Sequence, residues 1–154
     1  MKLMVVESPN KIKKLESILG AGWKVMASVG HIRDLPRNDL GIVQPNFVLN
    51  YEFIPPVTMQ GRTFSGGAER VARIRKEAAN AEMVYLASDP DREGEAIAWH
   101  LKETLDLDES EYLRVTFDAI TPEVIRAALS NPRKIDYDLV HAKEARRALD
   151  RMYG

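Results

Sequence analysis

The sequence predicts an α/β fold: a mostly parallel sheet of about four strands, flanked by helices on both faces. Three observations predict it. Short apolar runs alternate along the chain with stretches whose apolar residues recur at helical spacing. Turn-forming residues punctuate those segments. The 154 residues, 45% hydrophobic and 29% charged, suit one domain of ordinary size with a real core.

Taken in order, Lys2–Val6 reads as a short buried strand. Ser8-Pro9-Asn10 opens a helix with Ile12, Leu15, Ile18 and Leu19 on one face, and Gly20 and Gly22 end it. Trp23–Val29 is the next strand, closed by Gly30. His31–Asn46 reads as loop, and Phe47–Ile54 alternates as an extended segment. Pro55–Gly67 reads as a second, mobile loop. A helix follows over about 68–80, on the stripe Val71, Ile74 and Ala78. Met83–Ser88 is a strand, Glu93–Leu105 a helix on Ile97, Leu101 and Leu105, and Tyr112–Asp118 a further strand. Thr121 is a good N-cap with Pro122 at the first helical position, giving a helix over 122–129. The last helix, about 136–152, carries Ala142, Ala145, Leu149 and Met152 on one stripe.

Composition excludes several classes. A net charge of −1 with this apolar content excludes a mainly disordered chain. The absence of cysteine excludes a disulfide scaffold, a thiol nucleophile and a cysteine-based zinc site. No apolar run approaches the ~20 residues of a membrane span, and the start lacks the pattern of a secretory signal. A cytoplasmic location without membrane partners is the expectation. The near-neutral total hides basic stretches at 1–37 and 62–76 and an acidic one at 82–111. The plain reading of each is a solvated face; the other is local phosphate binding, which a neutral total does not exclude.

The most informative segment is Ser88-Asp89-Pro90-Asp91-Arg92-Glu93-Gly94-Glu95. It follows an apolar strand, and open parallel sheets bind ligands outside the carboxyl ends of their strands. Asp89, Asp91 and Glu93 stand at i, i+2 and i+4, which an extended chain would place on one side. Clustered carboxylates repel one another, and an all-oxygen set suits Mg²⁺ or Mn²⁺. Pro90 stiffens the turn, and Gly94 allows close approach of backbone or substrate. The plainer alternative is an acidic helix start, which accounts for Glu93 and Glu95 better than for Asp89 and Asp91. Glu7 ends the first strand, so a parallel sheet would bring it to the same edge as Asp89. Near other carboxylates it could donate or accept a proton.

These residues carry a resemblance. VVESPNK at 5–11, SVGHIRDLP at 28–36, YLASDPDREGEAIAWHL at 85–101, VTFDAIT at 115–121 and AKEARRALDRMYG at 142–154 resemble, in order, the N-terminal Toprim domain of type IA DNA topoisomerases. The stretch from about 37 to 80 matches poorly. The resemblance implies a Rossmann-like Toprim fold over 1–135, with 136–154 beginning the helix into the next domain. It implies relaxation of negatively supercoiled DNA by cutting and resealing one strand, without ATP. It implies a Mg²⁺ site of Asp89, Asp91 and Glu93 assisted by Glu7, with Mn²⁺ as a substitute. Glu7 would be the general acid for the ribose oxygen, and Lys11 and Arg92 would stabilise the phosphate by charge. His31, Arg33 and Asp34 match the GHIRDLP loop, which would organise the site or contact DNA.

The implied partners are single-stranded or negatively supercoiled DNA and the remaining domains of the same enzyme, in a nucleoid-associated setting. The family's nucleophile is a tyrosine in a separate downstream domain, and none of tyrosines 51, 85, 112, 137 and 153 lies in such a motif. The expectation is therefore an excised module, inactive alone, whose last helix lacks its packing partners. Three other classes compete. A stand-alone Toprim nuclease would use the same acids with metal-activated water, against the evidence of the GHIRDLP loop and the ARRALDR tail. A phosphotransfer enzyme or receiver domain would need its aspartates differently placed. A non-catalytic DNA-binding module would rest on the basic stretches 11–14 and 62–76.

Overall fold

The computed structural model describes residues 1–34, 42–43, 48–49, 52–59, 62–64 and 66–141. At its centre lies a four-stranded, all-parallel sheet. β1 (Lys2–Val6), a 3₁₀ turn (Pro9–Lys11), α1 (Ile12–Leu19) and β2 (Trp23–Ala27) open the chain. β3 (Arg33–Asp34), β4 (Ile42–Val43), β5 (Val48–Leu49), β6 (Glu52–Phe53), β7 (Val57–Met59) and β8 (Arg62–Phe64) follow. Then come α2 (Gly67–Ala78), β9 (Val84–Leu86), α3 (Arg92–Thr104), β10 (Tyr112–Arg114) and α4 (Pro122–Ser130). A further helical segment begins at 137 and is described to 141. The sheet order is β10-β9-β1-β2.

The period of two decides the layers. Leu3 and Val5 of β1 point to one face, where they meet Val71 and Ile74 of α2 and Ile97 and Leu101 of α3. Met4 and Val6 point to the other, against Leu15 of α1 and Ile125 of α4. Helices therefore cover both faces, as the alternation of apolar runs requires. Thr121 caps α4 by accepting the Val124 N–H at 3.3 Å, with Pro122 at the first helical position.

Sequence reading and structure part company between 33 and 64. The alternation over Phe47–Ile54 is not one strand: Val48–Leu49 pairs with Ile42–Val43, and Glu52–Phe53 pairs with Arg33–Asp34. Nor is 55–67 an open loop, because Val57–Met59 and Arg62–Phe64 form a hairpin. Backbone donors and acceptors must be paired somewhere, and short antiparallel ladders pair them within the excursion itself. Strands of two or three residues carry no readable period. The extended segment also stops at Ala27, short of the expected Val29, where the backbone turns left-handed. The expected helix to 152, and the idea that its packing partners are absent, fall on 142–154, outside the described residues.

Candidate active site

The strand order reverses direction between β1 and β9. From β1 the chain passes outward to β2, then returns across β1 to add β9 and β10 on the other side. The carboxyl ends of β1 and β9 thus flank a topological switch point, where loops diverge and leave a crevice. Glu7 leaves β1 there and Asp89 leaves β9. Ala87 N–H donates to the Val5 carbonyl at 2.8 Å, extending the ladder toward the edge. Glu7 Oε1 then accepts the Asp89 N–H at 2.7 Å, and Lys11 Nζ donates to Asp89 Oδ1 at 3.0 Å. The structure therefore brings Glu7, Lys11 and Asp89 together from segments about 80 residues apart in sequence.

Asp91 and Glu93 have other partners. The chain is extended only to Asp91, which is the N-cap of α3 and accepts the Gly94 N–H through Oδ1 at 2.6 Å. The one-sided extended row of Asp89, Asp91 and Glu93 is accordingly corrected, because Glu93 already lies in the helix. The acidic-helix-start reading explains Asp91 after all. Glu93 Oε2 meets His31 Nε2 at 2.6 Å. Arg92, also expected at the phosphate, is the exposed first residue of α3. The backbone of Arg33 and Asp34 pairs with Phe53 and Glu52, which takes these two residues out of the expected loop, while His31 and Ile32 remain irregular. Among the described residues, no three acids or imidazoles stand close enough to hold one metal ion jointly.

Two features fix the acidic turn: the close approach at Gly94, which the sequence suggested, and Arg114, which went unread. A Cβ on Gly94 would fall far inside contact distance of the Asp89 carbonyl, so only glycine lets the turn fold back on α3. Arg114 is fully buried at the end of β10 and gathers the turn's carbonyls. Nη1 donates to Leu86 O at 3.1 Å and Ser88 O at 2.7 Å, and Nη2 to Asp89 O at 2.9 Å. Its Nε donates to Glu95 Oε1 at 2.8 Å, and Arg133 Nη2 donates to the same oxygen at 2.6 Å. Burial alone would raise the Glu95 pKa. The hydrogen bonds from Arg133 and the Asp136 N–H, with the charge of Arg114, outweigh it and hold the carboxyl below the ordinary range. Glu95 thus anchors the core instead of facing the helix dipole. The readable signal was Arg114 itself, a charge on the same strand face as Tyr112 in an otherwise apolar strand, which demands a buried partner.

Beside these residues lies an open cleft of about 540 Å³. Lys11, Lys14, Asp89 and Asp91 line it together with Phe117 and Asp118. It combines cations, acids and an apolar wall, a combination suited to a phosphodiester with its sugar and base. The described tyrosines lie elsewhere. Tyr85 packs on Trp23 with ring centroids 4.9 Å apart, and the Tyr112 and Tyr137 hydroxyls both meet Glu109, near the amino end of β10.

The family model described as Toprim domain matches residues 2–120. Over all 154 residues the chain is 51% identical to a protein of Xylella fastidiosa named "DNA topoisomerase I, plasmid", of which it covers 22%. It also matches the crystal structure of full-length topoisomerase I from Thermotoga maritima, with a TM-score of 0.81 and 41% identity over 99% of the chain. The chain spans about a quarter or less of the length of each of these relatives.

Proposed function

The chain belongs to the Toprim family, and on that premise we propose that it is the module of a type IA DNA topoisomerase that contributes the acidic, Mg²⁺-binding site for ATP-independent cleavage and religation of one DNA strand. The observation that carries this reading is the meeting of Glu7, Lys11 and Asp89 at the switch point, beside a cleft of phosphodiester size. The match to topoisomerases over the whole chain supports it.

The donor set fits a hard divalent cation. Glu7, Asp89, Asp91 and Glu93 offer oxygen alone, the chemistry of Mg²⁺ with Mn²⁺ as substitute. Asp89, Asp91 and Glu93 would hold the ion, with Glu7 assisting, once they turn to it from Lys11, the Gly94 N–H and His31, their partners in the free chain. When bound, the ion would neutralise the phosphate and stabilise the charge that builds on it. Lys11 does the same from the protein side: it gives its ammonium to Asp89 in the free chain and would turn it to the phosphate when DNA enters. Arg92 adds charge at the exposed start of α3. Glu7, held by the Asp89 N–H, exchanges a proton with the ribose oxygen that leaves and returns. His31 orients Glu93, while Arg33 and Asp34 belong to a segment that contacts DNA or the site. The nucleophile is a tyrosine outside these 154 residues, which accords with the placement of the described tyrosines. DNA, single-stranded or negatively supercoiled, and the remaining domains of the same enzyme are the partners.

Negatively supercoiled plasmid incubated with the chain and Mg²⁺ or Mn²⁺ tests this. The chain alone is expected to leave the plasmid unchanged, and to relax it once the complementary part of a topoisomerase supplies the tyrosine. Asp91→Ala is expected to abolish that relaxation. Nicking by the chain alone, lost in Asp91→Ala, would instead identify a metal-dependent nuclease.

A further inference from the structure

Arg70 is a buried cation that the chemistry above does not use. It sits on the inner side of α2, 9% exposed, where the basic run 62–76 had suggested a solvated face. Burying a guanidinium requires acceptors for its fork, and Arg70 finds backbone carbonyls. Nη1 donates to Val29 O at 2.7 Å, Nη2 to His31 O at 3.3 Å and Nε to Gly66 O at 3.3 Å. Two of these three belong to the turn that delivers His31.

That turn is strained. Val29, a β-branched residue with nearly half its surface exposed, has φ +58°, and Gly30 follows at +75°. Glycine takes this conformation freely; valine does not. Such a residue persists only where its surroundings over-determine it. On one side the Gly30 N–H donates to the Glu7 carbonyl at 3.0 Å, and Ser28 Oγ donates to the Gly30 carbonyl at 2.8 Å. On the other side stands α2. A Cβ on Gly67 would collide with the Ile32 carbonyl, so the helix start lies directly on the turn and Arg70 reaches it. The outcome is His31 Nε2 placed 2.6 Å from Glu93 Oε2.

We infer that Arg70 is a positioning residue: its fork holds the Val29–His31 turn in the left-handed form and thereby keeps the His31 imidazole on Glu93. The meaning of that placement for the chemistry rests on the reading of Glu93 given above; the placement itself does not. The test is therefore made on the 154-residue chain with EDTA present and without DNA, by NMR of the His31 ring nitrogens at one fixed pH. With Arg70 in place, Glu93→Gln is expected to move the His31 ring shifts. In Arg70→Lys, whose shorter side chain ends in a point charge without the planar fork, that response is expected to fall at least threefold. Val29→Gly added to Arg70→Lys is expected to restore it, because glycine adopts the positive φ unaided. A role in general stability alone would not be repaired at position 29. A full Glu93→Gln response in Arg70→Lys, or no restoration by Val29→Gly, overturns the inference. Should Arg70→Lys alone not fold, the double variant with Val29→Gly is expected to fold and to show the response, and its failure to do so overturns the inference equally. Since neither metal nor DNA enters the readout, failure here leaves the proposed function standing, and an inactive topoisomerase module would leave this inference standing.

Discussion

Gly94 and the Asp89 carbonyl share a space that admits no side chain. Gly94→Ala must push the acidic turn off α3, and overpacking of this kind costs about 3 kcal/mol. A urea titration of both proteins checks this; an alanine variant within 0.5 kcal/mol of the parent would refute the close approach. One residue on, Glu95 neutralises a fully buried Arg114. Removing one partner of a buried pair leaves the other charge uncompensated, so Glu95→Gln is expected to lose about 3 kcal/mol at pH 7. The sign of its pH dependence follows from the depressed pKa. A carboxylate whose folded-state pKa lies below its unfolded value of about 4.3 stabilises fully above that value. The contribution fades as pH falls through the folded pKa. The gap between parent and Glu95→Gln should therefore be constant from pH 6 to 8 and narrow as acid is added below about 4. Much of this was legible at residue scale: Glu7, Lys11 and Asp89 were singled out from the sequence and do meet. Arg70 and Arg114 were not: Arg114 is marked only by its place in an apolar strand, and Arg70, within a basic run, gives no sign of burial until the fold shows which carbonyls surround it.

Helix α3 carries two jobs on one residue. Asp91 is both its N-cap and a proposed metal ligand, and the two separate by substitution. Asparagine caps about as well as aspartate, whereas alanine loses the cap at about 1 kcal/mol. Asp91→Asn is therefore expected to melt within a degree or two of the parent, and Asp91→Ala several degrees lower. Both should weaken Mn²⁺ binding, which calorimetry or electron paramagnetic resonance would read. Equal Mn²⁺ affinity in parent and Asp91→Asn would confine Asp91 to capping. At this scale the sequence was legible wherever an element is long enough to carry a signal: α1, α2 and α3 stand where their apolar stripes put them, β1 where its apolar run does, and α4 where Thr121 and Pro122 start it. The ladders within 33–64 were not, since two-residue strands are set by what the backbone can pair with in space, not by side-chain alternation.

Over the whole molecule, charge is balanced in total and divided in space: net −1, yet with Lys11 and Lys14 lining one cleft together with Asp89 and Asp91. A polyanion approaching that cleft meets attraction and repulsion together, and the order of binding follows from their sum. Without a divalent ion, the carboxylates oppose the phosphates and Lys11 is held by Asp89. An ion on the acids would cancel the repulsion and free Lys11 for a phosphate. A short fluorescent single strand is therefore expected to bind at least tenfold more tightly in Mg²⁺ than in EDTA, read by anisotropy. Its affinity should fall with salt at a logarithmic slope of about −0.7 for each phosphate neutralised. Lys14→Met, which removes one cation from the cleft wall without touching the acidic turn, should flatten that slope by about 0.7. Lys11→Met is expected to act in opposite directions on the two ligands, weakening DNA binding while tightening Mn²⁺ about fivefold, because the ammonium no longer competes for Asp89. Binding that ignores Mg²⁺ and survives Asp91→Asn unchanged would place the DNA on the basic stretches alone and make this a binding module with no part in strand cleavage.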